Sequence, residues 1–209
     1  MPASAHSLTP PTEQITRAIR RAIRAYAPRA ADRDPPFYEA AVVMLMRVNA
    51  GPIELLFIER ARREDDPWSG QIALPGGRRD AGDASLEATV IRETREEMGI
   101  DLDASAEIVG SLDELRPRTP VLPPVIVRPF VAFLTGDVKI EASDEVAAHF
   151  WAPLDAILDP AATRETEILV RGVRRTGPAI LYEGRVIWGM TERILRQFAG
   201  VVGEARGDG

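Results

Sequence analysis

Apolar residues fall along this chain in short blocks, and the spacing inside the blocks differs. Over residues 12–26 they recur at helical intervals. Ile15, Ile19 and Ile23 stand at i, i+4 and i+8, with Ala18, Ala22 and Tyr26 beside them. Arg17, Arg20, Arg21 and Arg24 take the other side, so an amphipathic helix is expected. Its basic face is read as solvated, with an acidic partner or a polyanionic substrate as the alternative. Residues 1–11 are small, polar and proline-bearing, the composition of a disordered tail. A charged, proline-rich connector covers 27–36. Residues 39–48 (EAAVVMLMRV) are apolar too continuously for either face to meet water, which predicts a buried strand. Asn49, Ala50, Gly51 and Pro52 make a turn, and 53–59 return as a second strand in a hairpin. A charged, irregular stretch over 60–68 precedes a short β-like piece over 71–74.

The second half reads as strands over 107–112, 125–134, 138–141 and 146–152, with a proline-stiffened loop over 116–124. Ser143, Asp144 and Glu145 form a turn, and 154–158 is one helical turn. Extended segments follow over 164–171 and 179–182, then a turn at Glu183 and Gly184 and a strand over 185–188. A final helix over 189–202 carries Ile194, Leu195, Phe198 and Val201 on its apolar side, before a frayed tail. This order suits a mixed sheet packed between helices, an α/β fold.

The stretch from Gly76 to Ile100, GGRRDAGDASLEATVIRETREEMGI, organises the rest. Leu86, Val90, Ile91, Thr94 and Met98 give a helix one apolar side. Asp83 and Ser85 are candidate N-caps, because their oxygens can accept from the free amides of the first turn. Gly99 is the expected stop. At about 100° per residue, Glu93, Glu96 and Glu97 fall in one sector away from the apolar residues. Like charges at these spacings repel by about 0.2–0.5 kcal/mol per pair, so a cation is expected there. Carboxylate oxygens suit hard divalent ions. A solvated acidic face is the plain alternative. Gly76 and Gly77 make a tight turn, let a metal or phosphate approach the backbone, or both.

Composition narrows the chemistry. The chain has 209 residues, 45% hydrophobic and 28% charged, enough for one domain with a core. A net charge of −6 argues against a nucleic-acid or anionic-membrane surface. No cysteine is present, which excludes disulfides, thiol catalysis and cysteine zinc sites. His6 and His149 alone carry imidazole, and His149 beside Phe150 and Trp151 reads as structural. No apolar run approaches a membrane span and no signal-peptide core opens the chain, so a cytoplasmic protein is expected.

The helix resembles the signature of the Nudix hydrolases. Arg92-Glu93-Thr94-Arg95-Glu96-Glu97-Met98-Gly99-Ile100 matches R-E-hydrophobic-x-E-E-x-G-hydrophobic, with threonine at the first hydrophobic place. The family's usual glutamate six residues after the glycine is Asp83 here, and the junction from Asp83 to Arg92 is one residue longer. The role of Asp83 is left open. The resemblance implies a Nudix-like α/β/α sandwich with a mixed β-sheet between helices. It places the hydrolase domain at 37–203, after an N-terminal tail and amphipathic helix over 1–36 and before a disordered tail over 204–209. It also implies hydrolysis of a nucleoside diphosphate linked to another moiety, with Mg²⁺ or Mn²⁺. Glu93, Glu96 and Glu97 would hold the metal with a carbonyl near Gly77, and Arg92 would orient a helix carboxylate. Asp144 and Glu145 are candidate bases from outside the helix, with a polar turn as the plainer reading. Arg60 and Arg78 are candidate phosphate contacts.

Two flanking segments resemble the coenzyme A pyrophosphatase branch. Over residues 55–77, Gly70 is followed by Gln71-Ile72-Ala73 and Leu74-Pro75-Gly76-Gly77, similar to G-x-x-x-F-P-G-G with leucine for phenylalanine. Arg60-Ala61 also fits, although the spacing to Gly70 is one residue longer and the branch's internal arginine is out of register. Residues 186–195 are similar to I-W-G-x-T-x-x-I-L. This implies coenzyme A or an acyl derivative as substrate. A nucleotide-sugar or dinucleotide pyrophosphatase and a non-catalytic nucleotide-sensing module are the alternatives. The expected partner is a small nucleoside diphosphate, with neither nucleic acid nor membrane, and a homodimer is left open.

Overall fold

The apolar run expected as a buried strand is β1 (Tyr38–Val48), and its alternate residues divide the core in two. Ala41, Val43 and Leu45 point to one side, and Met44 and Met46 to the other. In the antiparallel β2 (Ile53–Arg60), Leu56 and Ile58 join the first side, and Leu55 and Phe57 the second. The computed structural model describes residues 10–48, 51–63, 68–117, 124–170 and 173–207. Of the tail expected over 1–11, residues 1–9, with His6, lie outside them and 10–11 instead open a helix, and Asn49 and Ala50 of the first turn, part of the charged stretch, most of the proline loop, and Arg171 also lie outside.

The main sheet has the order β3-β2-β1-β6-β5, with β3 at Ile72–Ala73, β5 at Ala106–Ser111 and β6 at Val125–Leu134. β6 runs parallel to β1 and the other pairings are antiparallel. Helix α2 (Leu86–Met98) covers one face through Leu86, Val90 and Met98. Helices α1 (Pro10–Ala25) and α5 (Gly189–Gly207) cover the other through Ile19, Ile23, Leu195 and Phe198. Each such side chain taken from water contributes roughly 1.5–3 kcal/mol. The layers are therefore helix, mixed sheet, helix, as expected. A short helix α3 (Leu102–Ser105) joins α2 to β5, where no helix was expected. Strand β7 (Val146–Pro153) pairs with the outer edge of β2 and leads into α4 (Leu154–Leu158). A separate three-stranded sheet contains β8 (Thr163–Val170), β9 (Val173–Tyr182) and β10 (Arg185–Trp188).

Several elements depart from expectation for physical reasons. Gly76 and Gly77 are not in a tight turn. They lie in β4 (Gly76–Arg78), which pairs with residues 40–42 of β1. The hairpin of β1 and β2 is correspondingly short, with Met46, Arg47 and Val48 paired to β2. Residues 138–141 form no strand. The Glu141 amide donates to the Met98 carbonyl and the Ser143 amide to the Glu97 carbonyl, both at 2.9 Å, so this segment satisfies the C-terminal end of α2 instead. Strand β9 begins at Val173 rather than 179. Arg20 is not on a solvated face. It stacks 4.4 Å over Phe133 and pairs with Glu107, which Arg24 also meets. Ile15, by contrast, is exposed. Helix α5 continues to Gly207, past the point where fraying was expected. No helix among the described residues is long and apolar enough to cross a membrane.

Candidate active site

Ser85 is the N-cap of α2, accepting from the Ala88 amide at 3.0 Å, and Gly99 closes the helix in the left-handed conformation. Asp83 does not cap. Its carboxylate takes a forked pair of bonds from Arg92, Nε to Oδ1 at 3.0 Å and Nη2 to Oδ2 at 2.9 Å. The same Nη2 donates to the Arg78 carbonyl at 3.0 Å. Nη1 of Arg92 lies 3.0 Å from Glu93 Oε1 and 2.9 Å from Glu96 Oε2. The hydrogen bonds from Arg92 hold Asp83 far below the usual carboxylate range, and Asp83 in turn drives the guanidinium pKa up. Planar, always charged and five-fold donating, arginine suits this junction.

Glu93, Glu96 and Glu97 occupy three environments. Glu96 is exposed and meets Arg92. Glu93 is mostly covered, and burial raises its pKa against the pull of Arg92. Glu97 is 3% exposed, so it lies within the core and not on the acidic face where the helical wheel put it. Its Oε2 accepts the Gly76 amide at 2.9 Å, and Arg60 Nη1 stands 3.8 Å from its Oε1. Burial pushes Glu97 up to about 7 despite those two, and the charges of Glu93 and Glu145 push the same way.

The glycines fit this arrangement. A Cβ on Gly77 would sit 2.5 Å from the Glu93 carboxylate. The backbone of β4 thus lies directly against both Glu93 and Glu97. Among the described residues no three acidic or imidazole side chains converge as a preformed metal cage. The donors nevertheless suit a hard ion. Two acidic side chains meet beside close-approaching backbone, and one is buried with its charge poorly compensated. Mg²⁺ is usually held by one or two carboxylates together with substrate phosphates.

Beside this cluster opens a cavity of about 550 Å³. It forms where β1 leaves β2 for β4, and the Gly76–Gly77 backbone is part of its wall. Trp68, Leu74, Val127, Trp188 and Met190 make it largely apolar, while Arg60, Arg78 and Arg193 add positive charge. Arg78 stacks 4.6 Å over the ring of Tyr38. The NUDIX domain profile matches residues 37–171.

This chain belongs to the Nudix hydrolases. A Nudix hydrolase named NudL from Citrobacter koseri is 35% identical over 172 residues, covering 79% of this chain and 83% of its own. Another NudL, from Shigella flexneri serotype 5b, is 33% identical over 182 residues, covering 82% and 87%. Among solved structures, a MutT/nudix family protein from Enterococcus faecalis superposes with a TM-score of 0.53 at 21% identity, covering 83% of this chain and 65% of that one. A C. elegans Ap4A hydrolase gives 0.51 at 19% identity, covering 80% and 98%. These two share the fold. The chain is a Nudix pyrophosphohydrolase, of a family that generally works with divalent metal ions.

The Nudix fold brings Glu93, Glu97, Arg92, Gly77 and Arg60 together, with Arg78 on the adjoining wall. Glu145 is near enough for its charge to act on Glu97, while Asp144 points to solvent. Asp144 is almost fully exposed, and Arg63 pairs with Glu145 at 2.9 Å and with Asp144 at 3.9 Å. Sequence reasoning missed Trp68, Tyr38, Met190 and Arg193 as cavity residues. Met190 and Arg193 fall in the segment 186–195 and Trp68 in 55–77, whose resemblances were noticed, whereas Tyr38 had no local signal. The forked bond that gives Asp83 its role required the folded loop.

Proposed function

We propose that this Nudix hydrolase cleaves the diphosphate of coenzyme A or an acyl derivative, giving 3′,5′-ADP and 4′-phosphopantetheine. One observation carries the reading. The two segments that resemble the coenzyme A branch lie far apart in sequence, yet both line the cavity beside the Gly76–Gly77 backbone. The apolar walls suit the pantetheine arm, and the rim arginines suit phosphate. In this reading the hydrolase domain spans 37–203, and the described part of the 1–36 extension, helix α1, packs onto it.

Glu93 and Glu97 would hold the metal with the Gly77 carbonyl, and Glu96, which pairs with Arg92, would be the third carboxylate of the set. Bound there, Mg²⁺ or Mn²⁺ would supply charge neutralisation at the diphosphate and a water of lowered pKa. Arg92 fixes the orientation of Glu93, and Asp83 fixes Arg92. Arg60 balances the charge of Glu97 and meets a phosphate oxygen at the cavity mouth. Glu145 is the base candidate whose charge reaches Glu97.

Turnover is expected to stop in excess EDTA and to return with Mg²⁺ or Mn²⁺, because oxygen donors without cysteine favour hard ions. Undiminished turnover in EDTA would refute the metal reading. Substrate choice is tested by mass spectrometry of products from coenzyme A, dephospho-coenzyme A, ADP-ribose and a diadenosine polyphosphate. Coenzyme A should lead by about one to three powers of ten. Dephospho-coenzyme A should be poorer, and alanine at Arg60 or Arg78 should narrow that gap. If ADP-ribose or the diadenosine polyphosphate wins, the branch assignment falls and the Nudix chemistry stands. If nothing is cleaved, a nucleotide-sensing role replaces catalysis.

A further inference from the structure

One set of ion pairs is not used by the chemistry above, and it connects the N-terminal connector to the helix that carries the glutamates. Arg33, outside the matched domain, forks between Glu39 of β1 at 2.6 Å and Glu114 at 2.7 Å. Glu114 is fully covered, and it also accepts from Arg128 at 2.6 Å and from the Ala31 amide at 2.9 Å. The other oxygen of Glu39 accepts from Arg79 Nη1 at 2.8 Å, and the Arg79 amide donates to the Glu39 carbonyl at 2.9 Å. Nη2 of Arg79 then reaches the carbonyls of Asp83 and Ala84 at 3.1 and 3.5 Å. Those two residues directly precede the N-cap of α2, and Asp83 is the residue that grips Arg92.

We infer that Arg79, clamped by Glu39 and braced through it by Arg33, is a positioning residue that sets the 80–85 loop and thereby the orientation of Arg92 and Glu93. The inference rests on the metal-site reading given above. The physical need is clear in the loop itself. Asp83 carries its grip on Arg92 from a loop whose own local tie is the Asp80 amide bonded to Asp83 Oδ2 at 2.9 Å and the Asp83 amide to the Asp80 carbonyl at 3.1 Å. Those bonds shape the turn without anchoring it to the sheet. The Arg79 fork provides that anchor, because β1 and β4 are locked in register at Ala40 and Arg78. Misplacing a reacting group by about 1 Å can cost on the order of 10²-fold in rate, and partners of metal ligands typically matter by about 10–100-fold.

Lysine cannot replace this arginine. An ammonium is a point charge and cannot span a carboxylate on one side and two carbonyls on the other. A role that needed only positive charge would tolerate it. The test uses the full chain and the variants Arg79→Met, Arg79→Lys, Glu39→Gln and Arg33→Met. Four quantities are read: kcat and KM on the best substrate of the wild type, Mn²⁺ affinity by electron paramagnetic resonance, and hydrogen exchange of residues 80–85 without metal. In both Arg79 variants kcat is expected to fall about 10–100-fold with KM nearly unchanged, with Mn²⁺ bound roughly tenfold more weakly. Exchange should rise in the 80–85 loop and not in β6. Arg33→Met should fall in the same direction by less. Glu39→Gln combined with Arg79→Met should be no worse than Arg79→Met alone, because the two act as one unit.

An Arg79→Lys enzyme with wild-type kcat and Mn²⁺ affinity would overturn the inference, as would additive losses in the double variant. Unchanged exchange over 80–85 in Arg79→Met would overturn it too, and that readout needs neither metal nor substrate. If instead the wild type binds no Mn²⁺ while the loop loosens as expected, the metal-site reading falls and the anchoring role of Arg79 stands.

Discussion

Glu97→Gln is expected to abolish catalysis while leaving a folded and more stable protein. The substitution keeps the side-chain shape and an oxygen for the Gly76 amide. It removes the charge that Glu97 would offer a metal, and kcat should fall by roughly 10³-fold or more. The stability effect has the opposite sign. Burial raises Glu97 from the usual 4.5 to about 7, so the folded state holds this proton more tightly than the unfolded chain does. Between those values the folded protein carries more protons, and stability must fall as pH rises. Below about pH 4.5 this penalty is absent, and above about pH 7 it is complete. The metal-free wild type should therefore lose stability across that window from this group, by on the order of 3 kcal/mol at most. Glu97→Gln should not show that loss. Urea unfolding in EDTA at pH 5 and pH 8, beside turnover with Mg²⁺, checks both halves. A variant with near wild-type turnover would show that Glu97 is not a metal ligand. A variant that fails to fold would show that the carboxylate is structural.

The two adjacent glycines should fail in different ways. At Gly76 φ is +136°, and a Cβ would sit 2.2 Å from the Ala41 carbonyl oxygen and 2.6 Å from the Val42 Cα. Both obstacles are backbone of the central strand and cannot turn aside. Gly76→Ala should therefore break the pairing of β4 with β1 and cost roughly 3–5 kcal/mol, a large part of a typical domain's stability. At Gly77 the obstacle is the end of the Glu93 side chain, which can swing away. Gly77→Ala should keep its fold, with a melting temperature within a few degrees of wild type, and lose about 10²-fold or more in kcat. Thermal melts and kinetics of the two variants separate the cases. Equal loss of stability in both would mean that the Glu93 carboxylate is not free to move. Wild-type turnover in Gly77→Ala would mean that its placement does not matter.

Much of this architecture could be read from local pattern. The apolar run of β1, the period of α2, the Ser85 cap and the Gly99 stop all rest on interactions within a few residues, and each appears in the structure. The Nudix signature on α2 was legible for the same reason, since its residues share one helix and one spacing. Segment 138–141 shows where pattern stops. Its alternation reads equally as a strand or as an extended crossing, and only the unpaired carbonyls at the end of α2 decide between them. Gly177 and Pro178 fall between the extended segments expected over 164–171 and 179–182. They lie inside β9 because β10 pairs only with residues 179–182, so at Pro178 the strand has one neighbour and a missing amide is tolerated.

The sequence alone determined which groups are present: Glu93, Glu96 and Glu97 on one helix, an arginine ahead of them, two glycines before the loop, and no cysteine. Tertiary structure decided what each group is. A helical wheel assigns a direction around an axis, and it placed Glu97 beside Glu93 and Glu96. It has no knowledge of β4, whose Gly76 amide reaches the Glu97 carboxylate, or of Arg60 beside it. The pairing of Asp83 with Arg92 needs the loop to fold back. The pairing of Glu39 with Arg79 needs two strands, distant in sequence, to take one register. Charge, burial and proton affinity are properties of surroundings, and the surroundings of these residues come from chain segments far away in sequence.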